Sequence, residues 1–235
     1  MATKSSREKY GALWAREELI LAFDLYCRIP FRKTKANNPD VVEVAQLLGR
    51  SPASVARKLG NFGSFDPELR KQHIKGLAHV GKLDAEIWNE FNSDWNGLVL
   101  EASRLRGELD ADVQLRDEIG VEIPTPRGAS EKEMMRKTRI HQAFFRDVIL
   151  SSYEGTCCIT GLRVPECLVA SHIVPWSVSE LHRTDPRNGL CLSATFDRLF
   201  DRGLITVSQN LDLIVSARLR KCKDKTVVDM ICRYH

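Results

Sequence analysis

Between Ala170 and Gly203 the chain reads ASHIVPWSVSELHRTDPRNGLCLSATFDRLFDRG, with two histidines, four arginines and several carboxylates in one short span. Hydrolysis of a phosphodiester needs a base to deprotonate water, a divalent cation against the developing charge, and groups that hold both in place. This span contains a residue for each task. His172 is the candidate base, because imidazole titrates near working pH. Asn188 can lock a loop by accepting and donating hydrogen bonds, and Asp197 offers a hard oxygen to a cation such as Mg²⁺. Asp201 is a second carboxylate for the metal, or with Arg202 a salt-bridged helix corner. Arg187, Arg198 and Arg202 could meet phosphate oxygens.

Such residues must be held by short elements. LVASHIV, GLCLS, GLITVS and LDLIVS read as strands broken by turns such as Gln209-Asn210, with a short helix from about Ala194 to Arg202 ended by Gly203. Upstream, SEKEMMRKTRIHQAFFRDVILSSY reads as a basic amphipathic helix opened by a Ser130–Glu133 capping box. Ile140, Phe144, Val148 and Ile149 form its buried stripe, and Arg139, Gln142 and Arg146 lie outside it, with Arg146 a candidate DNA contact. Cys191 points inward from its strand.

The first hundred residues read as wholly helical. Val41, Val44, Ala45 and Leu48 form an apolar stripe ended by Gly49, and Ser51-Pro52 open a second helix. On that helix Val55, Ala56, Leu59 and Phe62 face inward, which leaves Ser54, Arg57, Lys58 and Asn61 on an outer face suited to a major groove. The pair resembles a helix-turn-helix of the trihelical, homeodomain-like kind. DAEIWNEFNSDWNGLVLEAS reads as a later helix with Trp88, Phe91, Trp95 and Leu98 on its core side. The acidic, proline-containing segment 107–130 reads as a linker. The expected division is therefore 1–106 helical, 107–130 linker and 131–235 a second domain.

Taken together, RIHQAFFRDVILSSY, CCITG, LVASHIVPW and DPRNGLCLSATFDRLFDRGLITV resemble the HNH endonuclease family in its restriction-endonuclease-like branch, over about Arg139 to Ser216. The resemblance implies an α+β chain: an all-helical N-terminal DNA-binding-like domain and a C-terminal ββα-metal nuclease domain built around one divalent ion. His172 falls on the base, Asn188 on the asparagine and Asp197 on the third, metal-binding position. Two departures stand out. Asp197 replaces a histidine, which favours Mg²⁺ or Mn²⁺ over zinc, and Ser171 stands where the wider family often has a metal ligand. The resemblance implies a metal-dependent endonuclease on double-stranded DNA in restriction or phage defence, including modified DNA. A homodimer would serve double-strand cleavage. The alternative is an inactive HNH-fold DNA-binding protein.

Composition sets broader bounds. The 235 residues are 43% hydrophobic with a net charge of +4, enough apolar content for a packed core and a modest basic excess that permits nucleic-acid binding. The seven cysteines are unevenly spread and form no Cys-x-x-Cys, so neither a disulfide framework nor a structural zinc is expected. With no bilayer-length apolar run and no signal-like start, the expectation is no membrane partner and a prokaryotic cytosol.

Overall fold

The computed structural model describes residues 11–74, 76–77, 80–107 and 129–234. Most of the expected linker, 108–128, lies outside the described residues. The fold is α+β, a helical N-terminal half followed by two small antiparallel sheets among helices.

The helical half contains α1 (Arg16–Arg28), α2 (Pro39–Leu48), α3 (Pro52–Gly63), α4 (Pro67–Lys71), α5 (Lys82–Phe91) and α6 (Trp95–Leu105). Local chemistry sets the bounds of α2 and α3. Asn38 Oδ1 accepts from the Asp40 N–H, Gly49 closes α2 at φ 63°, and Ser51 Oγ accepts from the Ser54 N–H to start α3. Val41, Val44, Ala45 and Leu48 of α2 are buried with Val55, Leu59 and Phe62 of α3, as their spacing predicts. The helix expected across 84–103 is broken in two. Asp94 Oδ1 accepts from the Gly97 N–H, and this cap starts α6 three residues after α5 ends.

The outer face expected for α3 also needs correction. Asn61 is only 7% exposed and donates to Oδ2 of Asp84 on α5, and the Lys58 ammonium pairs with the same carboxylate at 2.8 Å. A buried carboxylate must be paired, and Asp84 draws both side chains inward. Arg57 remains exposed and Ser54 is half-buried.

The long α7 (Ala129–Ser152) joins the two halves. It is already helical at Ser130, whose side chain, half of the expected capping box, lies outside the described residues. Ile140, Phe144 and Val148 enter the apolar cluster of α1, α2, α3, α5 and α6, whereas Phe145 and Ile149 pack on the sheet side with Cys157, Leu168 and Cys191. Arg28 of α1 reinforces the seam. It pairs with fully buried Asp24 at 3.0 Å and with Asp147 of α7 at 2.8 Å, and its guanidinium lies over the Phe144 ring.

Strands β1 (Leu168–His172) and β2 (Gly189–Ser193) form one hairpin, with Leu168 opposite Ser193 and His172 opposite Gly189. Then come α8 (Ala194–Asp201), β3 (Ile205–Val207), β4 (Leu213–Val215), α9 (Ala217–Arg220) and α10 (Lys225–Tyr234). Phe196, Ile205, Val215 and Ile231 pack these into a third cluster. Among the described residues no helix is long and apolar enough to cross a membrane.

Phe144 is fully buried where α7 meets α1 and α6. Phe144→Ala should therefore cost about 3–5 kcal/mol of unfolding free energy, measured by denaturant titration. A loss below 1 kcal/mol would show that this seam does not hold the two halves together.

Candidate active site

Strand alternation sends Ser171 and His172 to opposite sides of the hairpin. Ser171, 3% exposed, donates its hydroxyl to Oδ1 of Asp197 on α8 at 2.5 Å. The serine that stands where the resemblance implies a metal ligand therefore orients the neighbouring carboxylate. Burial raises the Asp197 pKa above the ordinary carboxylate range, and nearby Asp201 adds to the rise, while the Ser171 hydroxyl and Arg198 oppose it. Asp201 lies one turn further along α8 and is exposed. No ion pair joins it to Arg202 among the described residues.

His172 sits on the other side. Its ring stacks on Phe145 of α7 at 3.7 Å between centroids and 12° between planes, and meets the edge of Trp176 at 5.6 Å. Its Nε2 lies 3.0 Å from the carbonyl oxygen of Arg183. A carbonyl only accepts, so Nε2 carries the proton and, in the neutral ring, Nδ1 keeps its lone pair. Burial lowers the His172 pKa below the ordinary imidazole value, against the Arg183 carbonyl and the Asp201 carboxylate, which raise it. The ring is thus biased towards its basic form.

Asn188 holds the loop that supplies that carbonyl. It is 6% exposed; its Oδ1 accepts from the Val174 N–H at 2.7 Å, and its Nδ2 donates to the carbonyls of Val174 and His182 at 3.1 and 3.0 Å. The Asn188 carbonyl also accepts from the Ile173 N–H at 2.8 Å. Both amide protons are engaged within the protein, so Asn188 positions the loop and has no donor left for a substrate. Gly189 follows it with φ −129°, as extended strand and not as a left-handed turn. A Cβ there would run into Ile149 and Phe145, so glycine is required by the close approach of α7.

The arginines separate by partner. Arg187 grips Asp185 through Nε at 2.9 Å and Nη2 at 2.7 Å, yet remains largely exposed. Arg146, expected to face outward, donates to the carbonyls of Leu168 and Pro165 at 2.7 and 3.0 Å, tying α7 to the start of β1. Arg198 is exposed on α8. His182 is exposed, with Nδ1 2.8 Å from the Ser179 hydroxyl.

Two contributors had no role assigned from the sequence. Thr184, fully buried, donates its hydroxyl to Oδ1 of Asn96 on α6 at 2.7 Å, and Asn96 Nδ2 donates to the Glu180 carbonyl at 3.1 Å. The helical half thereby supports the loop beside Arg183. Cys157 also emerges as structural. Its sulfur accepts from the N–H groups of Ser193 and Thr160 at 3.2 and 3.3 Å, fastening the CCITG turn to β2.

Among the described residues no group of three or more His, Cys, Asp or Glu is placed to hold a metal. A Mg²⁺-type ion needs only one or two carboxylates, because phosphate and water complete its shell. Asp197, with one oxygen fixed by Ser171, is one such carboxylate, and exposed Asp201 lies one turn further along the same helix.

Asn188→Ala removes three side-chain hydrogen bonds around the 173–188 loop. Amide exchange at Val174 should accelerate, and stability should fall by about 1–3 kcal/mol. Unchanged protection at Val174 would show that the loop is held by other contacts.

Comparison with curated proteins returned no match. The model of a family described as HNH endonuclease matches residues 157–208, from the CCITG turn through β3, and this matched segment holds His172, Asn188 and Asp197. Over residues 157–208 the chain is therefore similar to the HNH endonuclease family, which supports a nuclease-type function in general.

Proposed function

We propose that the chain is a divalent-metal-dependent endonuclease hydrolysing phosphodiester bonds in double-stranded DNA. The observation that carries this reading is the Nε2–H hydrogen bond from His172 to the Arg183 carbonyl. It fixes the tautomer whose Nδ1 can take a proton from water. Phe145 and Trp176 hold the ring plane, and Asn188 and Asn96 hold the loop bearing the carbonyl.

Asp197 and Asp201 would hold Mg²⁺ or Mn²⁺, with Ser171 fixing the rotamer of Asp197. The ion, when bound, would supply positive charge against the phosphate oxygens and the leaving oxygen. His172 takes the proton from the attacking water on Nδ1 and becomes imidazolium, its Nε2–H still held by the Arg183 carbonyl. Exposed Arg198 is available to the phosphate, as is the outer edge of Arg187. In the helical half, exposed Arg57 with Ser54 is the candidate DNA contact of the helix-turn-helix-like pair. One such site cuts one strand, so double-strand breaks would require a homodimer or two successive events. Restriction of modified DNA is the proposed setting.

The engagement of Ser171 with Asp197, and the small protein ligand set, favour a second reading, an inactive module that binds DNA without cutting it. Incubation with unmodified and cytosine-modified plasmid in Mg²⁺ or Mn²⁺ separates the two. Cutting by the wild type, and a fall of about 10²–10⁴-fold in His172→Ala with duplex binding retained, is the expected result. Undiminished cutting by His172→Ala would remove His172 as the base. Since burial holds the His172 pKa low, cleavage by the wild type should persist through neutral pH. It should fade only below the ordinary imidazole range, as protonation of Nδ1 removes the lone pair.

A further inference from the structure

A groove of about 770 Å³ opens at the start of α8, between the CCITG turn and α10, at the opposite end of that helix from Asp201. Its wall includes Thr160, Ser193, Thr195, Thr226, Asp229 and Arg233. Ser193 stands at the N-cap of α8, where a serine normally accepts from the first-turn N–H groups. Here it caps nothing. Although it is only 8% exposed, its hydroxyl has no hydrogen-bond partner among the described residues and opens on the groove. An uncapped helix start is electropositive and presents free N–H donors. The Ser193 hydroxyl adds an unused donor, and exposed Arg233 adds a full positive charge across the groove, against the Asp197 carboxylate of the first turn of α8.

The surroundings show the same balance. Arg198, Arg202 and Arg233, together with the five cations of RLRKCKDK (218–225), are all exposed and form no ion pair among the described residues. Asp229 is the carboxylate on the groove wall, and it bounds the space available to an anion beside Arg233.

The geometry points to a phosphate-binding subsite formed by the α8 N-terminus, Ser193 and Arg233, which takes a backbone phosphate of the DNA being cut. The inference rests on the nuclease reading above and deepens it. Ser193 lies opposite Leu168, four residues along the hairpin from His172, or roughly 13 Å at 3.3 Å per residue. A duplex at the His172 end would therefore place a phosphate several nucleotides from the scissile bond at the groove. Contact there would hold the register of the DNA without touching the reacting atoms.

The test uses the full chain in EDTA, so that binding is read without cutting, with a short duplex as probe across a range of salt. Arg233→Gln should weaken binding several-fold and reduce the slope of log affinity against log salt by about one. Ser193→Ala should weaken binding without changing that slope. Unchanged affinity and slope in Arg233→Gln, an exposed position that folding tolerates, would overturn the subsite even if Ser193→Ala folds poorly. Inorganic phosphate is the second probe. It should shift the Ala194 and Thr195 amide resonances in the wild type and compete with the duplex. Phosphate that binds there without displacing DNA would assign the groove to a free anion and overturn the DNA role. Loss of cutting in His172→Ala tests the nuclease reading separately, so the two proposals fail by different observations.

Discussion

One carboxamide organises the site. Asn188 closes the loop after β1 by accepting from Val174 and donating to Val174 and His182. The Arg183 carbonyl, next along the chain from His182, is the acceptor that keeps the proton on His172 Nε2. Without the loop's fixed path, nothing else observed around the ring would distinguish its two nitrogens. The stacked Phe145 and the Trp176 edge fix the plane of the ring but leave its tautomer open. Orientation thus comes from apolar packing, and proton placement from a backbone carbonyl held by a side-chain amide.

The helical half takes part in this arrangement. Asn96, early in α6, bonds to Thr184 and Glu180 on either side of the key carbonyl. Helix α7 serves both halves, with Phe144 in the helical core and Phe145 against His172 on an adjacent residue. A shift of α7 against α1 would be transmitted to the imidazole through one backbone unit. The Arg28 bridge from Asp24 to Asp147 resists that shift. Burial raises the Asp147 pKa while Arg28 lowers it, as expected for a carboxylate whose charge depends on its partner.

Periodicity made the apolar stripes of α2, α3 and α7 legible, together with the β1–β2–α8 order. These depend on local spacing and on the strong boundary signals of Gly49 and Ser51. Long-range polar partners were not legible. Lys58 and Asn61 satisfy an outward pattern on α3, but Asp84, more than twenty residues away, turns them inward. Arg146 fits a basic face until the carbonyls of Leu168 and Pro165 claim it. Asn188-Gly189 has the composition of a turn, and only the closeness of α7 explains an extended glycine there. A residue's type indicated which bonds it could make, whereas the fold determined which partners came within reach.

The same distinction bears on Ser171. From its position in the sequence it is a poor substitute for a metal ligand, yet its hydroxyl is a good donor, and the carboxylate it meets is pushed towards protonation by burial and by Asp201. A donated hydrogen bond favours the charged form and fixes its rotamer. In the proposed reading, an orienting hydroxyl in place of a ligand would weaken the hold on a metal in the absence of substrate and leave the carboxylate ready for one that arrives with phosphate. The charge balance around α8 has the same character. Exposed Arg198 and Arg202, with no ion pair among the described residues, share α8 and its end with Asp197 and Asp201, so positive and negative side chains stand close together there.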